Sequence, residues 1–419
     1  MKVLYFIGSY GPEAMGSASH EQTILAMRER GHQVDVLTQI NQPGVGRYTR
    51  VEYTGVPVYR VNVASGGSRA ANLLRRASAH LFQYEYLPML VRAYRRHLRS
   101  HHYDLAHVEG AYPFGLVAAL AGGRMPYMAN VQGADVIDLP EHDYGYRRFP
   151  IPRRAVAHAL NRASLIRVIS PLLGDYLETE NLATRDRMVV ILRAIEDQAF
   201  LPEGEPLAAF RREARAWLAV KYGIGLDRPV VMTLSRLHPF KGLEFLVDAI
   251  PRVKDLRRSR GERPPWFLIC GPSRKTENFG DYRDFLLKRA QAAGVASDLI
   301  FTGQVPHPDV RRHLAGADLL ACPSVIEAQN KVVPEAAAVG TPSVVTDTTG
   351  IASYFATRDA CLTVPPRSAA PIAAALARLL SDPTLYAHTQ QQALQTAQTL
   401  RSHALAPQLE SAWHRAASA

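Results

Sequence analysis

Two glutamates eight residues apart, Glu327 and Glu335, carry the clearest chemical signal in the chain. They lie in PSVIEAQNKVVPEAAAVGTP, Pro323 to Pro342, directly after a strand-like run, Asp318 to Cys322. Proline is tolerated in a helix only in the first turn, where its missing N–H is not needed. Pro334 therefore predicts a helix that starts close to Asn330–Val333, with Glu327 in the loop before it and Glu335 near its first turn. Backbone N–H groups at such a start (Asn330, Lys331, Val332) are unpaired donors and form an anion site. Carboxylates on both sides of a phosphate pocket suit a ligand with hydroxyls on both sides of a phosphate, as in a nucleotide sugar. The plainer alternative is a buried strand followed by a capped helix with solvated glutamates.

Three further segments offer polar groups at the ends of strand-like runs. In SRLHPFKG, Ser235 to Gly242, Arg236 and Lys241 follow a strand closely. Fixed cations in a dry cleft stabilise negative charge that develops on a departing phosphate; Arg offers a planar fork and Lys a point charge. The competing reading is a solvated basic loop. In GSYGPEAMGSASHEQ, the positions of Gly8, Gly11 and Gly16 do not match the dinucleotide fingerprint, so NAD is not indicated. Gly16 precedes a helix-like run, where glycine lets a backbone N–H approach a ligand; the alternative is a tight turn. In NVQGADV, Gln132 can hydrogen-bond hydroxyls but cannot titrate, and Asp135 either binds a hydroxyl or caps the next segment.

These segments need strands to position them, and the chain provides two sets. VLYFIGS, QVDVLT, DLAHVEG, PYMANVQG, SLIRVIS and MVVILRA alternate with helix-like stretches such as residues 17–30. A second set runs PVVMTLSRL, PWFLICGP, DLIFTGQV, ADLLACPS, TPSVVTD and ACLTV. Such alternation predicts α/β units with parallel sheets and ligands outside the C-terminal strand ends. Pro202, Gly204 and Pro206 break the pattern and predict a linker over 201–228, between domains at 1–200 and 229–395 that face one another across a cleft. Residues 396–419 read as a terminal helix.

Glu-x7-Glu between ADLLACPS and EAAAVGTPSVVTDTTG resembles the signature of the retaining family-4 glycosyltransferases, and SRLHPFKG resembles their Arg-Leu-x-x-x-Lys-Gly motif. The resemblance covers nearly the whole chain and implies the GT-B architecture, two doubly wound Rossmann-like domains facing across a cleft, with the terminal helix crossing back to the first domain. It implies a metal-independent, retaining transfer of a hexose-type sugar from a nucleoside-diphosphate sugar to a hydroxyl. UDP is the commonest donor nucleotide in the family. By this resemblance Arg236 and Lys241 hold the diphosphate, Glu335 the ribose, and Glu327 the transferred sugar. Asn330, Lys331 and Val332 complete the phosphate site, Gln304, Val305 and Gly271 border the nucleoside, and Gly16 approaches the donor phosphate. Gln132 stands where relatives have a histidine, Arg193-Ala194-Ile195-Glu196 where they read Asn-Gly-Val-Asp, and Gln329-Asn330 where they read Phe-Gly. No cofactor is implied, and no Asp-x-Asp stands where a catalytic metal would be needed. A GT-B phosphorylase or epimerase, or a non-catalytic binding protein, are the alternatives.

Composition sets the remaining bounds. The chain has 419 residues, so two domains are the default. No apolar run reaches the length of a membrane span, and the short apolar N-terminus reads as a buried strand, so a cytoplasmic protein is expected. Cys270, Cys322 and Cys361 are far apart and lack metal-site spacing, which suits buried thiols. The net charge of +11 gathers partly in 69–102 (Arg69, Arg75, Arg76, Arg92, Arg95, Arg96, Arg99) and in 147–162. Basic amphipathic helices of this kind either lie on an anionic membrane face or carry solvated arginines. No nucleic-acid motif accompanies the charge. The acceptor is expected to be a lipid-linked or cell-surface glycan, or else a soluble metabolite or natural-product scaffold.

Overall fold

A computed structural model describes residues 1–12, 17–64 and 69–419; Gly16 lies outside the described residues. The chain forms two compact units, one of residues 1–140, 144–194 and 402–419, the other of 141–143 and 195–401.

Among the described residues the first unit holds eight strands: β1 (Lys2–Ile7), β2 (Gln33–Ile40), β3 (Tyr48–Tyr53), β4 (Val56–Asn62), β5 (Leu105–Glu109), β6 (Tyr127–Val131), β7 (Leu165–Val168) and β8 (Met188–Val190). Their order is β3-β4-β2-β1-β5-β6-β7-β8. Every pairing is parallel except that of β3 with β4. The strands read as near-continuous apolar runs because parallel sheets are covered on both faces. The chain reverses its winding between β1 and β5, and this switch point is where α/β sheets open a ligand crevice. Helix Ser402–Ala417 closes one face of the sheet: Trp413 is fully buried beside Val3, Tyr5 and Met27.

The second unit holds β9 (Val230–Leu234), β10 (Trp266–Cys270), a small hairpin of β11 (Lys275–Thr276) and β12 (Gly280–Asp281), β13 (Leu299–Gly303), β14 (Leu319–Cys322), β15 (Ser343–Thr346) and β16 (Leu362–Val364). The main sheet is parallel, ordered β13-β10-β9-β14-β15-β16, and its switch point lies between β9 and β14. Helices Leu243–Arg258, Tyr282–Ala292 and Ala369–Ser381 supply core residues such as Leu246, Val253, Leu286 and Leu376.

The linker expected over 201–228 is not one. Residues Leu207–Tyr222 form a helix of the second unit, with Ala214 and Leu218 buried. Arg211 there reaches Thr341 Oγ1 (2.6 Å) and the Ala317 carbonyl (2.9 Å). The chain enters this unit at Ile195, whose N–H donates to the Leu400 carbonyl (2.9 Å), and leaves it after Arg401. The prolines and glycine before Leu207 mark a helix start, not a domain boundary. Residues 396–401 likewise belong to the second unit. No helix among the described residues is long and apolar enough to cross a membrane.

Candidate active site

At the switch point of the second unit, the loops after β9 and β14 bring a cation and a carboxylate together. Lys241 is in ion contact with Glu327 Oε1, and both side chains are largely buried. Glu327 Oε2 accepts from Ser324 Oγ (2.9 Å) and Asn330 Nδ2 (2.8 Å). Burial alone would raise this carboxyl; the Lys241 charge and these hydrogen bonds outweigh it, and Glu327 titrates below the ordinary value. The loop is pinned from behind. The Glu327 N–H donates to the Thr348 carbonyl (3.1 Å), the Gly350 N–H to the Glu327 carbonyl (2.8 Å), and Thr346 Oγ1 to the Ser324 carbonyl (2.7 Å).

The helix after Glu327 runs Val332–Ala338, with Pro334 in its first turn and Glu335 half-buried. Of the N–H groups expected to be open donors, that of Val332 is already taken. Asn330, at φ 78°, turns its own Oδ1 onto the N–H groups of Val332 (2.8 Å) and Val333 (2.9 Å). Short polar side chains favour such caps and tolerate the left-handed conformation. Asn330 thus couples the helix start to Glu327 through the two ends of one amide. Lys331 is engaged as well, donating to Glu196 Oε1 (2.8 Å).

Glu335 lines a cavity of about 220 Å3 with Glu196, Gln198, His307 and Arg311. Glu196, which ends the segment Arg193-Ala194-Ile195-Glu196, is buried. Burial would raise its carboxyl, yet Lys331 and Gln198 hold it below the ordinary value. Gln304 and Val305 follow β13 and lead into the 3-10 turn His307–Asp309, whose His307 and Pro308 form part of the cavity wall. Arg236 is exposed at the end of β9. Gly271 sets the backbone behind it: at φ +142°, a Cβ on Gly271 would lie 1.7 Å from the Ser235 carbonyl. Gly242 is equally constrained, since a Cβ there would lie 2.2 Å from the Pro323 carbonyl, in the chain that carries Glu327.

The first unit has a polar centre at its own switch point. Glu109, the last residue of β5, is buried and accepts from the Tyr5 hydroxyl and from the side-chain amides of Asn130 and Gln132. The Trp413 indole donates to His107 Nδ1 (2.9 Å), so the proton sits on His107 Nε2, which donates to Glu109 Oε1 (3.0 Å). His20 Nδ1 lies 3.3 Å from the same oxygen. Burial raises Glu109, but this ring of donors prevails and keeps it ionised. Because Glu109 only accepts, it fixes Gln132 with its nitrogen inward and leaves the amide oxygen as the group to meet a ligand. The signal for this centre was present in the sequence: His107 and Glu109 alternate in an apolar strand and so share one face. Asp135 holds the turn before it and the loop after β5, and does not cap the segment that follows. It is buried and accepts from the N–H groups of Ala111 (2.7 Å), Gln132 (3.0 Å) and Gly133 (2.8 Å).

Residues 17–193 match the glycosyl transferase 4-like domain model, and residues 228–382 match the model for glycosyl transferases group 1. The chain belongs to the group 1 glycosyltransferases, of the family-4 type. A Bacillus subtilis (strain 168) protein assigned as the teichuronic acid biosynthesis glycosyltransferase TuaC is 29% identical over 279 residues, 66% of this chain and 61% of that one. The GDP-mannose-dependent alpha-(1-6)-phosphatidylinositol monomannoside mannosyltransferase of Mycobacterium tuberculosis (strain H37Rv) is 28% identical over 299 residues, 69% of each. The matched stretch thus spans about two thirds of these relatives' length. A sucrose-phosphate synthase from Thermosynechococcus elongatus has the same fold, with a TM-score of 0.74 at 19% identity, covering 99% of this chain and 98% of that one. That fold is GT-B, with a Rossmann-like sheet in each unit.

Proposed function

We propose that this group 1 glycosyltransferase moves a hexose-type sugar from a nucleoside-diphosphate sugar to a hydroxyl acceptor with retention of configuration and without a metal. The observation that carries the reading is the buried Lys241–Glu327–Asn330 constellation beside a cavity lined by Glu335. Glu335 accepts from the ribose hydroxyls. Lys241 has N–H groups beyond the one on Glu327 and, with Arg236, offers them to the diphosphate. Glu327, ionised, accepts from sugar hydroxyls and stabilises positive charge at the anomeric carbon. The anomeric C–O bond to the β-phosphate breaks as the acceptor oxygen bonds to the same face, and the acceptor's proton passes to the departing phosphate oxygen. Gln132 presents its amide oxygen, so its contribution is a hydrogen bond and not proton transfer.

UDP is taken as the first donor nucleotide because it is the commonest in the family. GDP stands second because the mycobacterial relative is named for GDP-mannose. The acceptor is taken to be a lipid-linked or cell-surface glycan reached from a membrane face, since the basic helices Arg69–Phe82 and Leu87–Ser100 suit an anionic surface. The second basic stretch contributes less than its composition suggested, because Arg147 is buried and paired with Glu180 (2.9 Å). Time-resolved NMR of sugar released from an α-linked donor tests the mechanism. Retention predicts the α-anomer first; initial β-anomer would rule it out.

A further inference from the structure

Helix Arg69–Phe82 is out of keeping with the rest of the first unit. Of its 14 residues only Ser78 is buried, while Leu73, Leu74 and Leu81 are 70%, 54% and 46% exposed. A helix of this length is marginal without an apolar partner, and clustered exposed leucines mark an interaction surface. Between this helix, helix Leu87–Ser100 and the end of β4 lies a cavity of about 390 Å3. Leu74, Met89 and Val61 form an apolar part of its lining, and Arg47, Arg92 and Arg96 a cationic part. Among the described residues none of these three arginines has a carboxylate partner, whereas Arg75 in the same lining is paired with Glu85 (2.8 Å). Unpaired guanidinium groups beside aliphatic side chains call for a ligand with an anionic head and a hydrocarbon start.

We propose that this cavity binds a single anionic lipid, its phosphate on Arg47, Arg92 and Arg96 and the first part of its chain along Leu74, Met89 and Val61. Leu73 and Leu81 enter the bilayer beside it. Guanidinium groups match phosphate oxygens with paired N–H donors. The cavity adjoins Val61 and Asn62, at the C-terminal end of β4, and β4 runs parallel to β2, β1 and β5. The lipid head is therefore held at the same end of the sheet as Glu109 and Gln132. This deepens the acceptor side of the proposed function and rests on it for the purpose of the site, but not for its chemistry.

The test uses the full chain and monomeric dihexanoyl phosphatidylglycerol below its micelle concentration, with dihexanoyl phosphatidylcholine and inorganic phosphate as comparisons, followed by calorimetry. The anionic lipid alone should bind, and Arg92→Gln/Arg96→Gln should weaken it about tenfold or more, since two guanidinium–phosphate contacts are lost. Arg50→Gln/Arg258→Gln, an equal loss of charge outside the cavity, should change it less than about twofold. Equal binding of phosphate, equal losses in both variants, or binding to anionic vesicles without binding of the monomer would each overturn the proposal. A nucleotide-sugar thermal shift that persists in Arg92→Gln/Arg96→Gln separates a failure here from a failure of the donor site.

Discussion

Glu327 shows how much chemistry one buried carboxylate can hold. Its charge is balanced by Lys241 and spread over Ser324 and Asn330, so removing the cation alone leaves an uncompensated buried anion. Lys241→Met should cost about 3–5 kcal/mol of stability at neutral pH, and Lys241→Met/Glu327→Gln much less than the sum of the two single changes. The pH dependence has a definite sign. A carboxyl held below its ordinary value of 4.5 contributes stability that is present above that value and is lost as pH falls through the depressed one. In Lys241→Met the balancing cation is gone and only the hydrogen bonds from Ser324 and Asn330 oppose burial, so the group rises relative to wild type and the buried charge is relieved by protonation. Denaturant titrations of wild type and Lys241→Met should therefore converge as pH falls from 7 toward 4. A gap that stays constant would show that Lys241 acts by packing and not by charge.

At the scale of elements, the site depends on how closely the strand-end loops approach one another. Gly271 must let the Ser235 carbonyl pass, while Gly303, also at positive φ, has nothing near its missing side chain. Gly271→Ala should cost about 3 kcal/mol from overpacking and left-handed strain and displace the Arg236 loop, whereas Gly303→Ala should cost about 1 kcal/mol. Thermal melts with and without nucleotide sugar separate the two effects. Equal costs would mean that the loops can yield.

The same elements show which parts of the site could be read from the chain. The runs PVVMTLSRL and ADLLACPS predict β9 and β14, and Pro334 places the helix start, because burial on both sheet faces and the missing proline N–H are local matters. The hairpin of β3 and β4 is marked in the chain only by Thr54-Gly55, both at positive φ, which form the tight turn between its two runs. The cap by Asn330, the grip of Lys331 on Glu196 and the ring of donors around Glu109 depend on contacts between distant segments, which periodicity does not encode. For the same reason the helix Leu207–Tyr222 passed for a linker: its partners, Thr341 and Ala317, lie more than a hundred residues away.

At the scale of the whole molecule, the last helix returns to the first unit and ties its stability to residues at the far end of the chain. Trp413 fills the core and fixes the His107 tautomer that donates to Glu109. Trp413→Ala should cost about 3–5 kcal/mol and lower one calorimetric transition, that of the unit containing β1–β8. The other transition should keep its response to nucleotide sugar. A loss of that response would mean that the units do not unfold independently.

The donor site is tested most directly by a screen with UDP-, GDP- and ADP-sugars in the presence of EDTA and without acceptor, following thermal shift and slow donor hydrolysis. Stabilisation by one nucleotide's sugars is expected, about 3 kcal/mol at a hundredfold excess over Kd, abolished by Glu335→Ala and by Lys241→Ala. A shift that survives both substitutions, or no shift with any donor, would contradict the placement of the donor site at Lys241, Glu327 and Glu335.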